Sequence, residues 1–158
     1  MKLSEVQDVV LAALRAAPAF AQFPQIVQPE DGTYPKIEGR EKAINGRGLF
    51  VCVWSPQPTA VADQNTSLGA GAGLYDVTVH VVVEENVQKS RRSVDEGGTG
   101  MSGLQAVENI ISAVVAKGAG ACLDGFALQS PPFTDLELEG GLWRRIVNFQ
   151  ITIPFQPL

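Results

Sequence analysis

The sequence is short of charge and of the residues that most often build disulfides and metal sites. Charged residues make up 18% of the 158 residues, against about 25% in a typical globular domain. The two cysteines, Cys52 and Cys122, lie far apart in apolar stretches without metal-ligand spacing, which predicts two small buried side chains. The low charge predicts a surface that is covered in an assembly, with an uncharged free monomer as the alternative.

Histidine is equally scarce, since His80 is the only one in the chain. Any Ser-His or Cys-His mechanism would need it, yet it stands between Val79 and Val81 on the polar side of a predicted strand. The glycine-rich stretches at 69–73 and 97–100 lack the lysine of a phosphate-binding loop. We therefore predict no enzyme, no cofactor and no metal site.

The charge balance argues against nucleic-acid binding. The formal net charge is −5, the pI is about 4.8, and no basic run exceeds the pair Arg91-Arg92. Glu5, Asp8 and Arg15 interrupt the apolar amino-terminal stretch, so it does not resemble a signal peptide. No other segment approaches the length of a membrane span. We expect the protein to stay in the cytoplasm where it is made.

Two helices are predicted from apolar periodicity. The first has a capping-box pattern at Ser4 and Gln7 and is closed by Pro18. Residues 20–48 are rich in turn signals, with isolated apolar residues that suggest short strand pieces. The second helix starts near Met101 and ends at Lys117-Gly118. It is predicted to bury Leu104, Val107, Ile111, Val114 and Val115.

The remaining apolar segments predict strands. Residues 74–85 and 142–155 alternate with period two, and Arg145 falls on the apolar side, where its stem can lie on the core while its head reaches water. Asp135, Glu137 and Glu139 alternate along a strand, which predicts a solvated acidic face. The fold class is α+β in one domain over 1–158: a mostly antiparallel sheet of four to five strands with two helices on one face. The other predicted strands are 49–54, 122–129 and 133–138, broken by Pro131-Pro132 and followed by a turn at 139–141.

The connection 55–73 is the most unusual feature of the pattern. It joins two strands, where a few residues would suffice, and its only charge is Asp63. Ordering such a segment costs about 1–2 kcal/mol per residue in backbone entropy. Its side chains are too small and polar to form a core, so we expect a neighbouring subunit to supply the contact. The chain is therefore predicted to be an assembly component.

The order of elements resembles the tail terminator (tail completion) proteins of tailed bacteriophages. The likeness rests on the strand 75–84 running into Glu85-Asn86, the polar loop with its two arginines, and the helix 104–115. The likeness extends over about 3–155. It includes the opening amphipathic helix, the proline-rich segment behind that helix and the closing strand 143–155. The connection 55–73 is longer than expected for that family.

The resemblance implies a hexameric ring that caps the finished tail tube, stops its polymerisation and presents a surface to the neck. The implied partners are further copies of the chain, the tail tube protein, a neck or connector protein and a sheath protein. DNA would pass through the lumen of the ring, and no membrane is involved. The resemblance places the protein in the tail and neck region of the virion, after assembly in the host cytoplasm. On this view 55–73 and 86–100 are the leading contacts, with Arg91 and Arg92 pairing with acids on a neighbour. The implied interface residues are Asp63, Gln64, Asn65, Glu85, Asn86, Arg91, Arg92, Asp95 and Glu96.

Three other functions stay open at the level of sequence. A head-completion or neck connector would also form a ring, but one that touches DNA should carry more lysine and arginine than the 12 present here. A small ligand-binding or enzymatic α+β domain would be a compact monomer with a polar pocket. A monomeric tail chaperone or baseplate component is the third. The native mass of the purified chain separates ring from monomer.

Overall fold

The computed structural model describes residues 1–30, 37–60, 74–115 and 125–154. Asp63, Gln64, Asn65, Cys122 and the predicted helix end at Lys117-Gly118 lie outside these residues. The helices are α1 (Leu3–Ala16), α2 (Pro18–Ala21), α3 (Ile37–Arg47), α4 (Val87–Ser90) and α5 (Gly103–Val115). The strands are β1 (Val27–Pro29), β2 (Leu49–Val53), β3 (Gln57–Ala60), β4 (Leu74–Asn86), β5 (Ala127–Leu138) and β6 (Leu142–Pro154).

The strands form a single mixed sheet in the order β1-β2-β4-β6-β5, with β3 also paired to β4. Only the β1–β2 pair is parallel, and the other pairs are antiparallel. The longest ladder joins β4 to β6, from Leu74 opposite Pro154 to Asn86 opposite Leu142. The α+β class is confirmed, but the described sheet has six strands rather than the predicted four to five.

Alternation along the two central strands creates the core. Val77, Val79, Val81 and Val83 of β4 are buried on one face, and Val147, Phe149, Ile151 and Ile153 of β6 are buried beside them. All five residues of β2 are buried, as its apolar character on both sides predicts, and they include Cys52. Burial of these side chains supplies the main hydrophobic stabilisation of the chain.

The described chain has three helices, α2, α3 and α4, besides the two that the sequence predicts. The long helices α1 and α5 pack against each other, and α5 covers the face that carries the buried valines of β4. The opposite face is reached by α3, whose Arg40 contacts Glu84. The helix signal of α3 is weak, because glycines interrupt the sequence and Ala43 and Ile44 are the buried apolar residues among its described side chains.

The amino-terminal helix begins earlier than predicted. The Lys2 backbone N–H donates to the Glu5 carboxylate at 2.9 Å, so Glu5 rather than Gln7 completes the cap. The Gln7 amide instead donates to the backbone carbonyls of Glu30 and Val53, both at 2.9 Å, and fixes the ends of β1 and β2. Pro18 ends α1 as expected, because it removes a backbone donor, and it also opens α2.

Several predicted boundaries are wrong in informative ways. The strand β3 lies inside the connection predicted over 55–73, so four of its residues are paired with β4. The strand β5 continues through Pro131-Pro132 instead of breaking there, because a register shift between Leu128 and Phe133 takes up the prolines. In α5 the buried side is shifted from the predicted one: Leu104 is 45% exposed, while Ala106 and Ile110 are buried.

Candidate functional site

Two adjacent carboxylates, Glu84 and Glu85, are completely buried near the end of β4. Successive side chains of a strand point to opposite faces of a sheet, so the two acids enter separate environments. An isolated buried carboxylate would cost several kcal/mol or more, and such groups persist only with cationic and hydrogen-bonding partners. Both acids have such partners within the chain.

Glu84 is held by arginines from two elements. Its Oε1 accepts hydrogen bonds from Nε and Nη2 of Arg144, at 3.1 and 2.7 Å, and its other oxygen accepts one from Arg40 of α3. Arg144 stands directly opposite Glu84 in the β4–β6 ladder. Arg144 and Arg40 therefore join the sheet to α3 on the Glu84 face, where Phe50 and Val82 are also buried.

Glu85 is held on the α5 side of the sheet. Its Oε2 accepts a hydrogen bond from Nη1 of Arg145 at 3.0 Å, while Oε1 accepts from the Ser90 hydroxyl at 3.0 Å and from Nε of Arg91 at 3.2 Å. Arg145 also lies over the ring of Trp143, 5.4 Å from its centroid. The Asp135 carboxylate is 3.0 Å from Nε of Arg145 but off its N–H axis, so that contact is electrostatic.

The amino terminus of α5 closes this cluster. A Cβ on Gly103 would collide with Glu85 Oε2 and with Nη1 of Arg145, so only glycine allows the helix to approach the pair so closely. The unpaired amides of a helix amino terminus favour negative charge, and Glu85 lies beside that end of α5. Glu85 thus connects β4, α4, α5 and β6.

The segment 87–100, which we call the α4 loop, is folded onto the body of its own chain. The Ser90 carbonyl accepts the Thr99 backbone N–H at 3.0 Å and the Thr99 hydroxyl at 2.9 Å, and both side chains are buried. Arg47 Nη1 donates to the carbonyls of Val94 and Gly98, at 2.9 and 3.1 Å. The α4 loop is therefore held in place within its own chain, because the Glu85 cluster and Ser90 anchor it.

The predicted interface residues of this region divide into a buried and an exposed group. Glu85 has no exposed surface, so it serves the interior instead of offering a contact to a neighbour. Asn86 caps α4 by accepting the Gln88 N–H at 3.2 Å. The side chain of Arg91 is 54% exposed although it bonds Glu85. The fully surface-facing members are Arg92, Asp95 and Glu96.

Sequence reasoning missed the inner cluster. Arg145 was expected to extend its head into water, but its side chain is 7% exposed and bonds Glu85. Glu84, Ser90 and Arg40 are not among the predicted site residues. One signal was present: the acidic pair 84–85 ends one strand, and the basic pair 144–145 begins a strand that an antiparallel sheet sets beside it.

A second feature is the exposed outer strand of the hairpin formed by β5 and β6. Among the described residues, β5 pairs only with β6, and most of its side chains are exposed. Leu128 is 37% exposed and Leu136 is 55% exposed. Cross-strand register sets Leu136 next to the partly buried Leu138, Leu142 and Ile146 on the same face. We call this strand with its apolar neighbours the hairpin arm.

The other margin of the sheet is protected. The edge strand β1 has only three residues, and Nε and Nη2 of Arg15 donate to its Val27 carbonyl at 3.2 and 2.9 Å. The strand β3 has four residues and includes Pro58, which has no N–H to offer. Short strands, covering side chains and proline are the usual means of closing a sheet edge. The hairpin arm is thus the long edge of this sheet.

The single histidine is part of a polar surface network. Nδ1 of His80 lies 2.7 Å from Oδ1 of Asn148, and its ring meets Trp54 edge-on with centroids 6.0 Å apart. Asn148 Nδ2 in turn donates to the Pro131 carbonyl at 3.3 Å, which ties β6 to the hairpin arm. His80 is therefore half-buried and hydrogen-bonded within this network.

Two other kinds of site are absent from the described parts of the chain. No group of three or more metal-ligating side chains occurs among them. None of their helices is both long and apolar enough to cross a membrane. An open cleft of about 410 Å³ lies between α2, the α4 loop and α5, with Phe23 and Met101 in its lining and Gln105 and Glu108 exposed beside them.

The sequence was also compared with known proteins. No protein-family model matches the chain, and no curated protein matches it.

Proposed function

We propose that this chain is a structural subunit of a bacteriophage tail, a terminator-like protein that forms a ring, caps the tail tube, stops its polymerisation and joins it to the neck. The observation that carries this proposal is the hairpin arm. A twelve-residue edge strand with exposed leucines is a surface that a soluble monomer normally shields, whereas an oligomer covers it with another subunit.

The low charge of the sequence supports the same proposal. Charged residues make up 18% of the chain, against about 25% in a typical globular domain, so fewer charges have to lose water when copies associate. The arm adds exposed apolar area in one place, near the Glu139–Gly141 turn. Together these features favour a chain whose working state is an assembly.

The buried cluster supports a geometric mechanism. Glu85 and Ser90 fix the α4 loop before any partner arrives, so its exposed residues stand on a rigid frame. A preorganised surface loses less conformational entropy on association. Because the surface is rigid, each contact also sets the same angle between two neighbouring subunits. A fixed contact gives every pair of subunits the same rotation, and a ring forms when that rotation closes on itself without a rise along the axis.

In this proposal one ring face matches the last ring of the tube, and the other receives the neck. The partners are copies of the chain, the tail tube protein and the neck or connector protein, and a sheath protein adds a further contact in a contractile tail. DNA passes through the lumen without specific contacts, consistent with the net charge of −5. The hexameric ring and the location in the virion belong to the same proposal.

The experiment is a count of tail-tube lengths made with variant chains. Arg91→Glu with Arg92→Glu removes two exposed cations of the α4 loop, and Arg92→Glu alone leaves the Arg91–Glu85 bond intact. Lys2→Glu, at the exposed start of α1, is the matched control. We expect tubes of abnormal length with the first two variants and normal tubes with the control. Correctly terminated tubes in all three would remove the α4 loop from the contact, and a chain located at the head instead of the tube end would favour the connector function.

A further inference from the structure

We propose that the hairpin arm of one copy docks on the α4 loop of the next copy, with Glu137 facing Arg92 and Leu136 facing Val94. This inference rests on the proposed ring and names the two surfaces that form its repeated contact. The partner is a second copy of the chain, because the chain carries both halves of the match.

The first half of the match lies on β5. Its charged residues are Asp135 and Glu137, both acidic and exposed. Asp135 is engaged by Arg145 in its own chain, whereas Glu137 has no ion pair among the described residues. Leu136, beside it in sequence, is 55% exposed. The arm therefore offers one uncommitted negative charge next to one large apolar side chain.

The second half lies on the α4 loop. Arg92 is exposed and makes no side-chain hydrogen bond or ion pair within the described parts of the chain. Its backbone is fixed on both sides, because its N–H donates to Lys89 at 3.2 Å and its carbonyl accepts the Gly100 N–H at 2.8 Å. Val94, two residues on, is 41% exposed. The loop therefore offers a positive charge next to an apolar side chain, on a rigid base.

The two surfaces are unlike parts of the subunit, and Arg145 lies between them, beside Asp135 of the arm and bonded to the Glu85 that anchors the loop. The α4 loop sits on the β2 side of β4, where the Asn86 N–H donates to the Gly48 carbonyl at 2.8 Å and Gly48 packs on the Ser90 backbone. The arm lies beyond β6, on the other side of β4. When the two surfaces of one copy bind two different neighbours, the contact is heterologous, and its repetition builds a ring or a filament.

Neighbouring acids restrict how the two surfaces can meet. Asp95 and Glu96 are exposed in the 3-10 turn that follows Arg92. A shift of the arm along the loop would bring Glu137 against these acids, and like charges at close range disfavour that arrangement. The outer margin of β5 presents both strand faces, so a loop seated there can reach Leu136 and Glu137 together.

The test is a charge exchange, read as the association constant of the purified full-length chain by sedimentation velocity, alone and with tail tube protein. Glu137→Arg and Arg92→Glu should each weaken association about tenfold, and the double variant should recover to within about threefold of the wild type. Asp8→Arg and Lys2→Glu, both exposed on the amino-terminal segment, are matched controls that should leave it unchanged. Raising the salt concentration should weaken the wild type and the double variant alike.

Three results would overturn the inference: single variants that associate normally, a double variant no better than the single ones, or a wild type that stays monomeric with and without tube protein. The proposed function has a separate readout, the position of the chain in the particle. If the chain lies at the tube end but the double variant does not recover association, the ring closes through other surfaces. If the double variant recovers association but the chain is not at the tube end, the contact between the arm and the α4 loop stands and the tail function is rejected.

Discussion

Replacing Arg145 by methionine tests whether the buried cluster stabilises the fold. Methionine keeps most of the apolar stem but removes the guanidinium that donates to Glu85 at 3.0 Å. Glu85 is then left, fully buried, with the Ser90 hydroxyl and the half-exposed Arg91. Removing one partner of a buried pair typically costs about 3–5 kcal/mol. Because two donors remain on Glu85, we expect the free energy of unfolding to fall by about 3 kcal/mol, the lower end of that range.

Urea unfolding at one fixed protein concentration measures this loss. With a slope of about 2 kcal/mol per molar urea, the midpoint should fall by about 1.5 M. The control is Arg92→Met, which removes an exposed arginine of the α4 loop and should change the free energy of unfolding by less than about 0.5 kcal/mol. The same midpoint for both variants would refute a stabilising role of the Arg145–Glu85 pair.

The double variant Glu85→Met with Arg145→Met tests whether Glu85 and Arg145 stabilise the fold through their contact with each other. Each single change leaves one buried charge with fewer partners, Glu85 with Arg91 or Arg145 with Asp135, whereas the double change removes both charges. We therefore expect the double variant to lose no more stability than Arg145→Met alone, with a coupling energy of more than about 1 kcal/mol. Losses that simply add would contradict direct coupling.

Three glycine substitutions, measured by thermal unfolding, test the backbone packing. Gly103→Ala should destabilise by about 1–3 kcal/mol, because its Cβ would collide with the Glu85–Arg145 pair; a neutral result would mean that α5 does not approach the pair. Gly46→Ala in α3 should instead stabilise by about 0.5–1 kcal/mol, because that Cβ meets open space within a helix, and a lower melting temperature would argue against α3. Gly48→Ala should cost more than about 2 kcal/mol, since Gly48 has φ +79° and packs on the Ser90 backbone; wild-type stability would disprove that turn.

The sequence predicts the parts of this fold that depend on local pattern. The alternation of β4 and β6 and the apolar run of β2 are strong signals, and the structure confirms all three strands. The turn between β5 and β6 is also confirmed, with positive φ at Gly140 and Gly141. These features can be predicted without knowing which distant residues they contact, because the periodicity of a strand and the glycines of a turn are visible in the local sequence.

The parts that failed depend on contacts between distant residues. The helix α3 has little amphipathic pattern of its own and is held by contacts such as Arg40–Glu84. Arg145 looked like a residue whose head reaches solvent, since its partner Glu85 is 60 positions away in sequence. The α4 loop looked unsupported for the same reason. Only the register of β4 against β6 shows that the acidic and basic pairs meet.

The central claim, that this chain caps a tail tube as a ring, is tested most directly by electron microscopy of assembled tails. The chain is located along the tail axis, and tubes grown with and without it are compared. The account predicts a closed ring of this chain at the head-proximal end of tubes of uniform length, and longer, heterogeneous tubes when it is left out. Uniform tubes in its absence, with no ring of it at either end, would contradict the account.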